Sequence, residues 1–96
     1  MATVFHWSGS WTSGGDNDDL FPGETHPWWV HYFRPGDVIS VTAFPVRGNP
    51  FVTRSLAVRN MRTVGTTQGL EISFDVTNVG PDSIPGYFVN LAVIND

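Results

Sequence analysis

The chain has 96 residues, a hydrophobic share of 41% and a net charge of −4. That is enough for one core without staples, too little for two domains, and too apolar for a disordered chain. Cysteine is absent and every fixed cation is an arginine, which excludes disulfide frameworks, thiolate metal sites, cysteine nucleophiles and Schiff-base lysines together.

The charge is unevenly spread. Residues 1–33 carry four acids and no base, residues 34–62 carry five arginines against Asp37, and residues 63–96 carry four acids. With a pI near 5.0, no nucleic-acid partner is expected. No apolar run reaches the ~18 residues of a spanning helix, so no membrane partner is expected either. The start MATVFHWSGS lacks the basic and apolar regions of a signal peptide. The default expectation is a cytoplasmic chain, unless it is a fragment of a secreted protein.

In chain order, Thr3–Trp7 is aromatic and β-branched and reads as a short first strand. Residues 8–23, rich in glycine, serine and aspartate, read as a long loop that Trp11 and Leu20-Phe21 interrupt. Trp28–Phe33 is a second strand with bulk on both faces: Trp28, Val30 and Tyr32 on one, Trp29, His31 and Phe33 on the other. A two-layer domain cannot easily fill both, so one of Trp28 or Trp29 belongs at a surface, at an interface or under the loop. Arg34-Pro35-Gly36-Asp37 has the type II turn pattern. Val38–Val46 is a third strand whose Pro45 ends it or puts it at an edge.

A second turn at Arg47–Pro50 leads to Leu56–Val64, where the period-2 pattern changes phase between Val58 and Met61, as at a bulge or in a strand that crosses from one sheet to the other. Leu70–Gly80 alternates strictly, with Leu70, Ile72, Phe74 and Val76 opposite Glu71, Ser73, Asp75 and Thr77; one face is in a core and the other in water. Tyr87–Ile94 is apolar on both faces apart from Asn90, which predicts a central strand. About six strands without a helical period predict an all-β, antiparallel immunoglobulin-like β-sandwich over residues 1–96, a single domain.

The segments SLAVRNMRTV, GLEISFDVTNVG and IPGYFVNLAVI, within residues 55–94, resemble the opening of a bacterial immunoglobulin-like module of the CARDB-like, cell-adhesion-related type. In that family an alternating second strand ends in Asn-x-Gly and a third strand starts near an aromatic. The resemblance implies a sandwich used in adhesion or as a spacer, with no catalytic residue. Such modules continue past the third strand, so the remaining strands must come from Thr3–Val46 in a rearranged order, or from a second subunit.

Asp16, Asp18, Asp19 and Glu24 are clustered oxygen ligands of the kind calcium takes, although the sixth position from Asp16 is Phe21 where an EF-hand needs glycine. His6, His26 and His31 form a zinc set only if the chain bends between the last two, since residues five apart on a strand face opposite sides. No nucleophile elbow or phosphate loop is present, and Glu71 with Asp75 is a wet strand face; no enzyme activity is expected. Arg59 and Arg62 are expected to pair with Glu71 and Asp75. The aromatics Trp11, Trp28, Trp29 and Tyr32 are the candidate binding residues, being flat amphipathic rings near acids and hydroxyls. These readings predict a non-enzymatic recognition or assembly module without a resident cofactor, binding a protein partner or self-associating as a homo-oligomer through exposed aromatics and an open sheet edge. The alternative is a lectin-like, carbohydrate-binding module that holds a glycan with Trp11 and Trp28 or Trp29, with calcium assisting.

Overall fold

A computed structural model of the chain describes residues 3–14, 18–33, 36–46, 52–67 and 69–95. Six strands occur: β1 (Thr3–Thr12), β2 (Thr25–Phe33), β3 (Val38–Pro45), β4 (Leu56–Thr66), β5 (Gly69–Asn78) and β6 (Gly86–Asn95). They form two three-stranded sheets, ordered β1-β6-β3 and β2-β5-β4, and every pairing is antiparallel. The described residues contain no helix, so none that is long and apolar enough to cross a membrane.

The two central strands supply most of the core. Ile72, Phe74 and Val76 of β5 meet Tyr87, Val89 and Leu91 of β6, and each of the six is at most 2% exposed. Alternation puts these side chains on one face of each pleated strand, so the sheets stack face to face as a β-sandwich. The outer strands add a half-buried layer that includes Trp11, Trp28, Val30, Ile39, Val41, Leu56 and Val58. The face of Leu70, Ile72, Phe74 and Val76 is thus covered from within the chain, with Thr3–Pro45 supplying three strands.

β1, β2 and β3 pair only with β5 and β6, never with one another. β6 is central in its sheet, as its two apolar faces predict. β3 is an edge strand and ends at Pro45, where the missing N–H stops the ladder. The phase change in β4 is a bulge: the register with β5 shifts between Arg59 and Arg62, and Asn60 takes φ 52°, a left-handed conformation that asparagine tolerates. Gly36 takes φ 92°, as the third position of a type II turn requires; Arg34, Pro35 and the turn at 47–50 lie outside the described residues.

The long loop does not begin at residue 8. Ser8–Thr12 continues β1 and pairs with Gly86–Asn90 of β6. Glycine at position 9 is a packing residue, because a Cβ there would lie 2.7 Å from the Trp7 ring and 3.2 Å from the Trp28 ring. Gly9 thus makes room for two indoles on the inner face, and its loop-like composition misleads. Leu20, by contrast, is anchored as its apolar character predicts. It is 1% exposed, and its backbone pairs with Ile84 through two 2.9 Å hydrogen bonds.

An aromatic cleft and an uncharged sheet

β1 and β2 are outer strands of opposite sheets, and their inward side chains meet where the sandwich opens. Trp7 and Trp11 come from β1, His26 and Trp28 from β2, and each alternates with a residue that faces out. Trp28 stacks on Phe74 with centroids 6.3 Å apart and planes 5° from parallel. Trp7 meets Trp28 edge-on at 6.3 Å. Trp11 packs at 4.6 Å from His26 and 5.5 Å from Tyr87. Trp11, His26, Pro27, Trp28, Trp29 and Tyr87 line one cleft of about 370 Å³.

A three-membered hydrogen-bond chain holds its base. Trp28 Nε1 donates to the Tyr87 hydroxyl at 2.8 Å, and that hydroxyl lies 2.8 Å from His26 Nδ1. An indole N–H can only donate, so the arrangement giving each proton an acceptor has Tyr87 O–H donating to an unprotonated Nδ1. His26 then carries its proton on Nε2. Burial favours the same neutral state, lowering the His26 pKa from 6.5 against the opposing field of Glu24. Burial likewise raises the Tyr87 pKa from 10.0, and the Trp28 hydrogen bond offsets part of that rise; the phenol is neutral at physiological pH.

A pH dependence follows. A histidine whose folded pKa lies below its unfolded value contributes stability that is complete above the unfolded pKa and lost as pH falls through the folded one. Melting temperature is therefore expected to fall as pH drops below 6.5, and His26→Gln, which keeps an acceptor for Tyr87, is expected to flatten that part of the curve. Parallel curves for the two proteins would rule out His26 as the source.

Trp11, Trp28 and Trp29 thus share one site. Trp28 is the inward member of its pair, and Trp29 is 57% exposed at the cleft's outer wall. Tyr32 belongs to β2, with its side chain outside the described residues. The sequence reading did not single out His26, Pro27 or Tyr87 as lining residues. Period 2 from Trp28 places His26 on the same face, but nothing local to Tyr87 signals a contact across the sheets.

Two of the proposed metal ligands, Asp19 and Glu24, are engaged within the loop. Asp19 accepts a 2.6 Å hydrogen bond from Ser13, Glu24 accepts one of 2.8 Å from the Phe21 N–H, Asp18 is exposed, and Asp16 lies outside the described residues. His6 is exposed on β1, His26 faces inward, and His31 pairs with Glu71 at 3.1 Å. Among the described residues no three His, Cys, Asp or Glu side chains converge as a metal site. The arginine pairing differs from expectation too. Arg59 is opposite Asp75 in register, yet the Asp75 carboxylate accepts Asn60 Nδ2 at 3.0 Å, while Arg62 donates to the Asn60 carbonyl at 2.8 Å. The bulge turns Asn60 back towards Asp75.

A second surface stands out by charge. β1, β3 and β6 contain no Asp, Glu, Lys or Arg, whereas β4 carries Arg59 and Arg62 and β5 carries Glu71 and Asp75. The outer face of β1-β6-β3 exposes Val38 at 62%, Phe44 at 49%, Phe88 at 52% and Ile94 at 39%. They pair in register, Phe44 with Phe88 and Val38 with Ile94. No protein-family model, curated protein or solved structure matches the chain.

Proposed function

We propose that this protein is a non-catalytic recognition and assembly module that self-associates through the β1-β6-β3 sheet. The observation that carries the proposal is the complete lack of charged residues from that sheet in a chain of net charge −4. In a two-fold dimer a patch meets itself, so any charge near the axis would face its own copy. An uncharged face with two phenylalanines avoids that repulsion, and its exposed apolar side chains gain by leaving water.

The sheet edges support the same reading. β2 contains Pro27 and a register irregularity after His31, and β4 contains a bulge and two arginines; these are common protections against strand addition. β1 has ten residues, no charge, no proline and an unbroken register with β6. A standard interface takes about 800 Å² from each partner, roughly an eighth of the 6279 Å² accessible surface.

Light scattering across a concentration series tests this. The expected result is a mass that rises from monomer to dimer with concentration, and a shift to monomer at every concentration for Phe88→Arg, with the near-ultraviolet spectrum unchanged. A concentration-independent monomer mass for the unmodified chain would overturn the proposal.

We further propose that the sandwich is immunoglobulin-like in a permuted order, with β4 beside β5 in one sheet and β6 central in the other. A second reading, glycan recognition, is favoured by the convergence of Trp11, Trp28 and Trp29 on one cleft.

A further inference from the structure

We infer that the cleft between β1 and β2 binds the quaternary ammonium group of a free small molecule, held by the rings of Trp11, Trp28 and Trp29 above the buried Tyr87. This goes beyond self-association and gives the cleft of the glycan reading a different ligand. The shape comes first. At about 370 Å³ the cleft is at the small end of ligand pockets, which run from about 300 to 1,000 Å³. Its rings do not form one flat platform. The Trp11 and His26 planes meet at 67° and those of Trp28 and Tyr87 at 63°, so the rings that line the open cleft lie at steep angles to one another. Sugars stack best on one broad ring face, whereas a tetrahedral cation takes contacts from all sides.

Hydrogen bonding narrows the ligand further. The base of the cleft spends its polar atoms internally, since Tyr87 joins both Trp28 Nε1 and His26 Nδ1. None of the six lining residues is a carboxylate. A primary ammonium or a guanidinium entering there would give up hydrogen bonds to water without replacing them, and that is costly. A quaternary nitrogen has no N–H to satisfy.

The surrounding charge has the matching sign. Residues 1–33, which include all of β1 and β2, carry four acids and no base. The connection from Trp11 to His26 carries Asp18, Asp19 and Glu24, and the Glu24 charge is felt at His26. Arg59 and Arg62 lie on β4, across β5 from β2. Negative potential over ring faces that are themselves electron-rich attracts a cation and repels an anion.

The test is a titration of the full chain with choline chloride at constant ionic strength, followed by tryptophan fluorescence and calorimetry. The comparison ligand is 3,3-dimethylbutan-1-ol, the neutral carbon analogue of choline, with glucose and galactose as sugar arms. Choline is expected to bind saturably and about tenfold more tightly than its neutral analogue, the size of a partly desolvated cation–π contribution. Trp29→Ala is expected to weaken choline binding without lowering the melting temperature, because Trp29 is 57% exposed and outside the core. Glu24→Gln, which keeps an acceptor for the Phe21 N–H, is expected to weaken binding about twofold and reduce its salt dependence. Equal binding of choline and the alcohol, saturation by a sugar but not by choline, or capture on phosphatidylcholine vesicles without binding of free choline would each overturn the inference. The solution mass is measured separately, so failure here leaves the self-association reading standing.

Discussion

Phe74→Ala is expected to lower the unfolding free energy by about 3–5 kcal/mol, the range for removing a fully buried aromatic side chain. Phe74 is 0% exposed on the central strand of its sheet, and it touches the core on one side and the Trp28 ring on another. Neighbouring strands are fixed by their ladders and cannot close the space, so most of the cavity persists. A domain of this size has about 5–15 kcal/mol in total, and the melting temperature is expected to drop by more than about 10 °C. The loss reaches the cleft as well, because Trp28 keeps its orientation by lying parallel to Phe74. Phe74→Leu, which retains bulk, is expected to recover much of the stability and less of any ligand binding. A Phe74→Ala protein that melts within about 2 °C of the unmodified chain would show that the two sheets are not packed as described.

Asn78→Ala is expected to cost about 2–4 kcal/mol through hydrogen bonds instead of volume. Asn78 is 1% exposed. Its amide donates to the carbonyls of Leu20 and Asp82, both at 2.9 Å, and its side-chain oxygen accepts the Gly80 N–H at 3.0 Å. Alanine removes all three at once; the Leu20 carbonyl keeps its bond from the Ile84 N–H, while the half-buried Asp82 carbonyl and Gly80 N–H each lose a partner. One residue thus ties the end of β5, the turn into β6 and the loop carrying Leu20 to one another. The Asn78 backbone continues the tie, bonding to Glu24 and Gly23 at 3.0 and 2.8 Å. Denaturant unfolding should show a lower midpoint with an unchanged slope, since the same surface is exposed on unfolding. Asn78→Asp keeps the acceptor for Gly80 but sets a buried carboxylate oxygen against the Leu20 and Asp82 carbonyls, so its expected cost is at least that of alanine.

These two residues also show how far local pattern reaches. Phe74 was legible because strand alternation is a period of two, and Leu70–Thr77 obeys it without a break. Asn78 was legible only as part of an Asn-x-Gly ending. Its partner Leu20 lies 58 residues away, and no sequence rule connects the two. Gly9 was misread for the same reason: a glycine between serines looks like a loop until two indoles from different strands are seen lying over it.

Local pattern was enough for the all-β class, for about six strands, for a phase change in β4 and for the central place of β6; that the phase change is a bulge and not a crossing between sheets came from the register with β5. Each of these depends on the alternation of apolar and polar side chains within one stretch of chain; alternation did not record exposure itself, because on β5 the face expected in water buries Ser73 at 8% and Thr77 at 7%. The aromatic residues of the cleft were visible as a group too, because Trp11, Trp28 and Trp29 crowd the first third of the chain. Which strands pair, that Thr3–Pro45 supplies the outer strands beside β5 and β6, and that His26 and Tyr87 complete the cleft depend on the folded arrangement. It alone gathered the three uncharged strands into one sheet. Pairing between distant strands is selected by how their side chains fit across the core, and that fit is a property of two surfaces in contact, which neither strand carries alone.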